Sequence, residues 1–165
     1  MDLVARAYSS PDAQKLIAEL QQGYVARYGG PDETPTDPAE FEPPLGTFLV
    51  GYLDGIPVAC AGWRSHDGDE PGFRDGDAEL KRMYVSEEAR GRGLARQLLA
   101  AIEQSATATG RRRVVLETAN MQPEAINLYT SAGYLSIPGF GLYLGQSESY
   151  YFGRDLPRPA VAGRD

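Results

Sequence analysis

The stretch from Ala78 to Ala101, AELKRMYVSEEARGRGLARQLLAA, leaves the chain few folds to choose from. It reads as a strand, a glycine-rich turn and a helix. Met83 to Val85 is an apolar, β-favouring strand end. Ser86 to Ala89 is short and polar, as a connection should be. Arg90 to Ala95, RGRGLA, runs straight into a helical pattern, in which Leu94, Ala95, Leu98, Leu99 and Ile102 make one apolar face. The strand carries an irregularity. Leu80 sets one side-chain parity, Met83 and Val85 the other, and a slip of one residue inside a strand is what a β-bulge produces.

The turn has the chemistry of an anion site. Gly91 and Gly93 let the backbone approach a ligand with no Cβ in the way. The first amides of a helix lack intrahelical partners, and the helix dipole favours negative charge there. Arg90, Arg92 and Arg96 add positive charge in a chain whose net charge is −7. Such a helix start suits a pyrophosphate. It is not a P-loop, because Leu94 and Ala95 stand where Lys and Ser or Thr are needed. Nor is it the dinucleotide fingerprint, because position 96 is Arg.

The other elements follow in order. Leu3 to Tyr8 reads as a strand. Ser10 and Pro11 open a helix that Gly29-Gly30 closes. Pro31 to Pro44 is an acidic loop. Thr47–Leu53 and Ile56–Arg64 form a hairpin across Asp54-Gly55. In the loop from His66 to Gly76, Asp67 and Asp69 hint at a calcium site, but Pro71 stands at the next ligand position, so no metal is expected. The second helix runs to Gly110. Arg111 to Arg113 reads as a solvated entrance to the strand Val114–Thr118. Pro123 opens a third helix that Gly133 closes. Tyr134–Ile137 and Glu148–Phe152 read as the last strands. Residues 1–156 make one domain, and 157–165 a flexible, Pro-rich tail. The one cysteine, Cys60, sits in an apolar run and reads as a buried small hydrophobe. No secretory signal or membrane span is visible, and no disulfide can form, which suits a cytoplasmic protein. A pI near 4.8 without a basic stripe argues against nucleic acid and mildly favours a cationic partner.

R-x-x-G-x-A after LKRMYV resembles motif A of the GNAT superfamily, the acetyl-CoA-dependent N-acetyltransferases. QPEAINLYTSAGY, Gln122 to Tyr134, is similar to a second family motif, with Gln122 where the family most often has Asn. The resemblance implies an α/β fold: a single GNAT-like domain whose mixed, mostly antiparallel, splayed sheet of about seven strands carries helices on both faces. It implies acetyl-CoA as acyl donor, with pantetheine along Met83, Tyr84 and Val85. The pyrophosphate falls at Arg90, Gly91, Arg92, Gly93, Leu94, Ala95 and Arg96, with Asn120 and Gln122 nearby. It also implies transfer to a primary amine by direct attack in a ternary complex. A free alkyl amine is mostly protonated at neutral pH, so a base is needed. Glu79 is the expected base, and His66, placed in a loop, the weaker candidate. The backbone N–H of Met83 is expected to meet the oxyanion, and Tyr129 to protonate the departing thiolate. Tyr24, Tyr28, Phe41, Trp63, Tyr143 and Tyr150 are expected around the acceptor, and acidic residues of the Pro31–Pro44 loop to meet its charge. Small cationic amines, protein lysines and N-terminal amines stay open as acceptors. So do a homodimer and an acyl-CoA-binding module without turnover.

Overall fold

Ser10 fixes the start of the first helix, since its hydroxyl accepts from the amide of Ala13 and Pro11 needs no partner for a missing N–H. A computed structural model describes residues 1–68 and 70–158, and the elements follow the expected order. They are β1 (Asp2–Ala5), α1 (Pro11–Tyr28), β2 (Gly46–Leu53), β3 (Ile56–His66), β4 (Asp77–Val85), α2 (Leu94–Ala108), β5 (Arg113–Ala119), α3 (Pro123–Ser131), β6 (Leu135–Ser136) and β7 (Ser149–Asp155). The expected tail from 159 onward, and Asp69, lie outside the described residues.

The seven strands form one sheet in the order β1-β2-β3-β4-β5-β7-β6. Every pair is antiparallel except β4 with β5. Helices α2 and α3 pack on one face, around Trp63, Leu80, Leu98, Ile102, Leu116 and Tyr129. Helix α1 covers the other face, over Phe48, Val50 and Cys60. Among the described residues, no helix is long and apolar enough to cross a membrane.

Two irregularities in β4 shape the site. Lys81 pairs with Gly62 and Tyr84 with Cys60, so Arg82 and Met83 together oppose Ala61 alone. This is the bulge that the parity slip implies, and Arg82 sits in it at φ 58. Beyond it, β4 and β5 part. They pair only at Asp77–Arg113, Ala78–Val114 and Glu79–Val115. Meanwhile β5 stays paired with β7 along its whole length, from Arg113–Asp155 to Ala119–Ser149. A V-shaped slot therefore opens between Leu80–Val85 and Leu116–Ala119.

Of the three arginines, Arg112 alone is exposed as a solvated entrance requires. Arg113 is buried and holds both carboxylate oxygens of buried Asp77, at 2.8 and 2.7 Å. Arg111 pairs with Asp67, whose Oδ1 also accepts from the amide of Gly76. These partners come from the start of β4 and the loop before it, which sequence spacing hides.

Candidate active site

The glycine turn is built as its residues require. Gly91 and Gly93 lie at φ 77 and 75, with open space where a Cβ would stand. Gly93 is the N-cap of α2 and offers no side chain to its amides. The first intrahelical bond is that of Gln97 to Gly93, at 3.2 Å. The amides of Leu94, Ala95 and Arg96 therefore have no partner among the described residues and face out of the helix start. The arginines differ. Arg90 donates to the Val85 carbonyl at 3.0 Å and lies over the Tyr84 ring, 5.8 Å from its centre, so it fastens the turn to the end of β4. Arg96 donates to Ser131 at 2.7 Å, linking α2 to α3. Arg92 is exposed. Gln122 is the N-cap of α3 and makes no capping bond, so this second helix start also keeps its first amides free of a side-chain cap. Asn120 is exposed just before it, its amide bonded to the Glu148 carbonyl at 2.9 Å.

The slot has a different group on each face. On the α2–α3 face, buried Tyr129 aims its hydroxyl at Met83 Sδ, 3.6 Å away. Burial holds that phenol well above its ordinary pKa, so it stays protonated. On the α1 face stands Glu117, in the position two residues on from buried Val115. Burial pushes its carboxyl up from 4.5 to about 7. Tyr151 and Lys81 act against that rise, whereas Asp32 and Glu79 add to it. Tyr151 stands directly cross-strand, yet its buried hydroxyl forms no well-made hydrogen bond. Sequence reasoning passed Glu117 over. The signal was a lone carboxylate inside the apolar run VVLETA.

Glu79 and His66 form a separate cluster. His66 ends β3 rather than lying in a flexible loop. It stacks on Phe73 at 3.6 Å between ring centres and is buried. Its Nδ1 meets Glu70 at 2.7 Å and its Nε2 meets Glu79 at 2.9 Å. Glu79 Oε1 also accepts from Arg64 Nε at 2.8 Å. Burial opposes ionisation of Glu79, but His66, Lys81 and Arg64 outweigh it and hold the carboxyl below its ordinary value. The two carboxylates of the α1 face are thus pushed in opposite directions. The cluster lines a cleft of about 410 Å³, together with Thr34, Pro35, Glu40, Gly141 and Leu142.

The expected acceptor residues separate by burial. Trp63 is 0% exposed on the α2–α3 face, donating to Ser105 at 3.0 Å, and Phe41 is 1% exposed and stacked on Tyr8. Both are core and cannot wall an open pocket. Tyr24 stands on α1, where burial first and then the Asp32 carboxylate push its phenol up to about 12. Tyr143 accepts from the amide of Glu33 at 2.8 Å, joining the β6–β7 loop to the loop after α1. Tyr28 and Tyr150 are exposed. Most acids of the Pro31–Pro44 loop are already engaged. Asp32 pairs with Lys81 and Arg82, Asp37 caps the short 3-10 turn Pro38–Phe41, and Glu40 pairs with Arg64.

A sheet splayed beside a glycine-led helix start, with proton-carrying groups on both sides of the slot, defines an acyltransferase that draws on acyl-CoA. The chain belongs to the acetyltransferase (GNAT) family, whose model matches residues 14–134. An IAA acetyltransferase of Azospirillum brasilense is 33% identical over 141 residues, 85% of this chain and 88% of that protein. Human N-acetylaspartate synthetase is 32% identical over 89% of this chain, which spans 39% of that longer protein. The crystal structure of a candidate acyl-CoA N-acyltransferase from Klebsiella pneumoniae superposes with a TM-score of 0.76. It is 26% identical, with 94% of this chain and 97% of that one covered.

Proposed function

We propose that the protein transfers an acetyl group from acetyl-CoA to the primary amine of a small, cationic acceptor by direct attack within a ternary complex. The observation that carries this reading is the slot where β4 and β5 part beyond Glu79–Val115, with Glu117 on its α1 face, where burial pushes the carboxyl up to about 7. A base that titrates near neutral pH both holds and releases protons at working pH. Acetyl-CoA supplies the reactive thioester. The protein's part is to hold it and move protons around it. The open edge of β4 at Met83, Tyr84 and Val85 offers backbone groups to an extended arm, as a sheet edge does to an added strand. The free amides at Leu94, Ala95 and Arg96 suit a pyrophosphate, with Gly91 and Gly93 allowing close approach and Arg92 adding charge. Asn120 and Gln122 border the same opening.

In this reading Glu117 takes the acceptor's proton from the α1 face, and Tyr129 gives one to the departing sulfur from the α2–α3 face. Tyr24 and Tyr143 flank the acceptor side. Glu40, Glu70 and Glu79 against Arg64 give the neighbouring cleft an acidic surplus, which favours a cationic acceptor. The name N-acetylaspartate synthetase supports acetyl as the group moved. A second reading keeps Glu79 as the base, since its Oε2 has no hydrogen bond among the described residues and it lines the cleft.

A thiol-release assay over a panel of amines tests the activity, and pH–rate profiles of two variants choose the base. Glu117→Gln should lower kcat by ~10²–10⁴-fold and remove the acidic limb, while Glu79→Gln keeps that limb. A Glu117→Gln enzyme with the parent's rate and limb, beside a Glu79→Gln enzyme that has lost both, would transfer the role to Glu79.

A further inference from the structure

Asp32 lies in the loop that leaves α1, yet its carboxylate reaches the middle of the sheet. Its Oδ2 accepts from Lys81 Nζ at 3.3 Å and from Arg82 Nη1 at 3.1 Å. Its Oδ1 accepts from the Thr34 amide at 2.9 Å and the Thr34 hydroxyl at 2.7 Å. Gln21 of α1 clamps the backbone of Asp32, its amide donating to the carbonyl at 3.2 Å and accepting from the N–H at 2.8 Å. The next N–H, that of Glu33, meets Tyr143. Residues 32 to 34 thus tie together α1, the β4 bulge and the β6–β7 loop.

Arg82 explains why this tie matters. It is buried in mid-strand at φ 58, a conformation that a residue with a side chain keeps only where its surroundings over-determine it. The other non-glycine described residue with positive φ is Asp54, in the hairpin turn where such backbone is ordinary. Here the surroundings are Asp32, the Tyr8 hydroxyl, 3.3 Å from Arg82 Nε, and Cys60, whose Sγ donates to the Arg82 carbonyl at 3.2 Å.

We propose that Asp32 is a positioning residue for acyl transfer: docked on Lys81 and Arg82, it holds the β4 bulge in the shape that opens the donor slot and keeps the loop after α1 over the acceptor face. The coenzyme side of this rests on the slot holding acyl-CoA, and the pH side on Glu117 as base. Tyr151 of β7 stands directly cross-strand from Glu117, and the charges that act on it are Lys81 and Glu79 of β4 and Asp32 of the loop. Asp32 and Glu79 favour its protonated form, Lys81 and Tyr151 its ionised form. Removing the Asp32 charge therefore lowers the Glu117 pKa, and Lys81, freed from Asp32, turns the same way.

Asp32→Asn keeps the shape of the residue. The loop stays attached through Arg64, which donates to the Pro35 carbonyl at 2.8 Å and pairs with Glu40, so the variant should fold. Calorimetry with acetyl-CoA should show roughly 2- to 30-fold weaker binding, the range of couplings carried through a protein from a residue that does not touch the ligand. The acidic limb of the rate profile should move down by about one pH unit. A purely structural pin would not move that limb. Arg82→Gly should bind acetyl-CoA better than Arg82→Ala, because glycine holds a positive φ without help. Adding Asp32→Asn to Arg82→Gly should then cost no further coenzyme affinity. An Asp32→Asn enzyme with the parent's dissociation constant and limb, where Glu117→Gln abolishes that limb, overturns the proposal. If Glu117→Gln leaves the limb in place, the base assignment is what fails, and the coenzyme measurements alone decide the role of Asp32.

Discussion

The two ends of the β4–β5 pair are a few residues apart and follow opposite rules. At the closed end, Asp77 and Arg113 form a buried, two-bond ion pair, and Glu79 is fixed by Arg64 and His66. Every charge there has a near partner. At the open end the strands share no ladder bonds, and Tyr129 reaches Met83 with a weak contact to sulfur. Among the described residues Glu117 has no ion pair, and burial pushes it toward neutrality. On β5 backbone pairing and charge pairing stop together, whereas on β4 Lys81 and Arg82 stay paired with Asp32 beyond the last ladder bond. The closed end contributes rigidity, and the open end is held by one loop carboxylate.

The comparison breaks first at the closed end. Arg113→Met should strip Asp77 of both guanidinium bonds and cost about 3–5 kcal/mol, read as a lower urea midpoint, because a buried carboxylate then loses its charge partner and keeps the Arg74 N–H, at 2.8 Å. Replacing both partners with apolar residues should recover most of that loss. A loss near that of a surface pair, under ~1 kcal/mol, would mean that the pair does not pin the strands.

At the open end, Tyr129→Phe removes one hydroxyl and leaves the helix packed. It should lower kcat about 100-fold with acyl-CoA affinity unchanged, since its effect belongs to the departing sulfur. Parent-like turnover would reduce Tyr129 to a core residue. Gly93→Val sharpens the picture of the donor site. The φ of 75 costs a branched residue at least about 1–2 kcal/mol, and its side chain would enter the space that a phosphate needs. Weaker unfolding free energy together with a raised acyl-CoA dissociation constant is the expected pair of results. An unchanged dissociation constant would count against the turn.

The smallest effect concerns stability against pH. The Glu117 carboxyl is raised in the folded state, from 4.5 to about 7, so the folded chain holds a proton that the unfolded chain has lost. Its contribution is favourable below about 4.5 and fades as pH rises to about 7. Glu117→Gln should therefore raise the melting temperature by a few degrees above that window and hardly at all below it. A shift equal at both ends would show that burial does not act on the charge. Asp32 runs the other way. Lys81, its bonds with Thr34 and Arg82 outweigh burial and lower it from 3.8 to about 2, so its contribution holds above about 3.8 and is lost as pH falls to about 2.

Much of the frame was legible in the chain itself. The hairpin at Asp54-Gly55, the helix from Ser10 to Gly29, the glycine turn and the bulge between Leu80 and Met83 are all written in neighbouring residues, because turns, caps and parity are local. The candidate site was legible only along one strand and two helices, in Met83, Gly93 and Tyr129. Three readings failed for one reason: Trp63 and Phe41 as pocket walls, Arg111 and Arg113 as solvated, and His66 as a loop residue. Each depends on what another part of the chain brings alongside.

The sequence by itself determined the order of elements, the point where β4 slips and the glycines that begin α2. Folding decided the state of every carboxylate near the slot. Glu79 and Glu117 are the same residue type in similar apolar strands, and nothing adjacent in sequence tells them apart. One meets Arg64 and His66 across the sheet and is held ionised, while the other meets a buried tyrosine and an unpaired strand edge. A carboxyl's protonation depends on desolvation and on charges a few ångströms away, and those distances exist only once the sheet has closed.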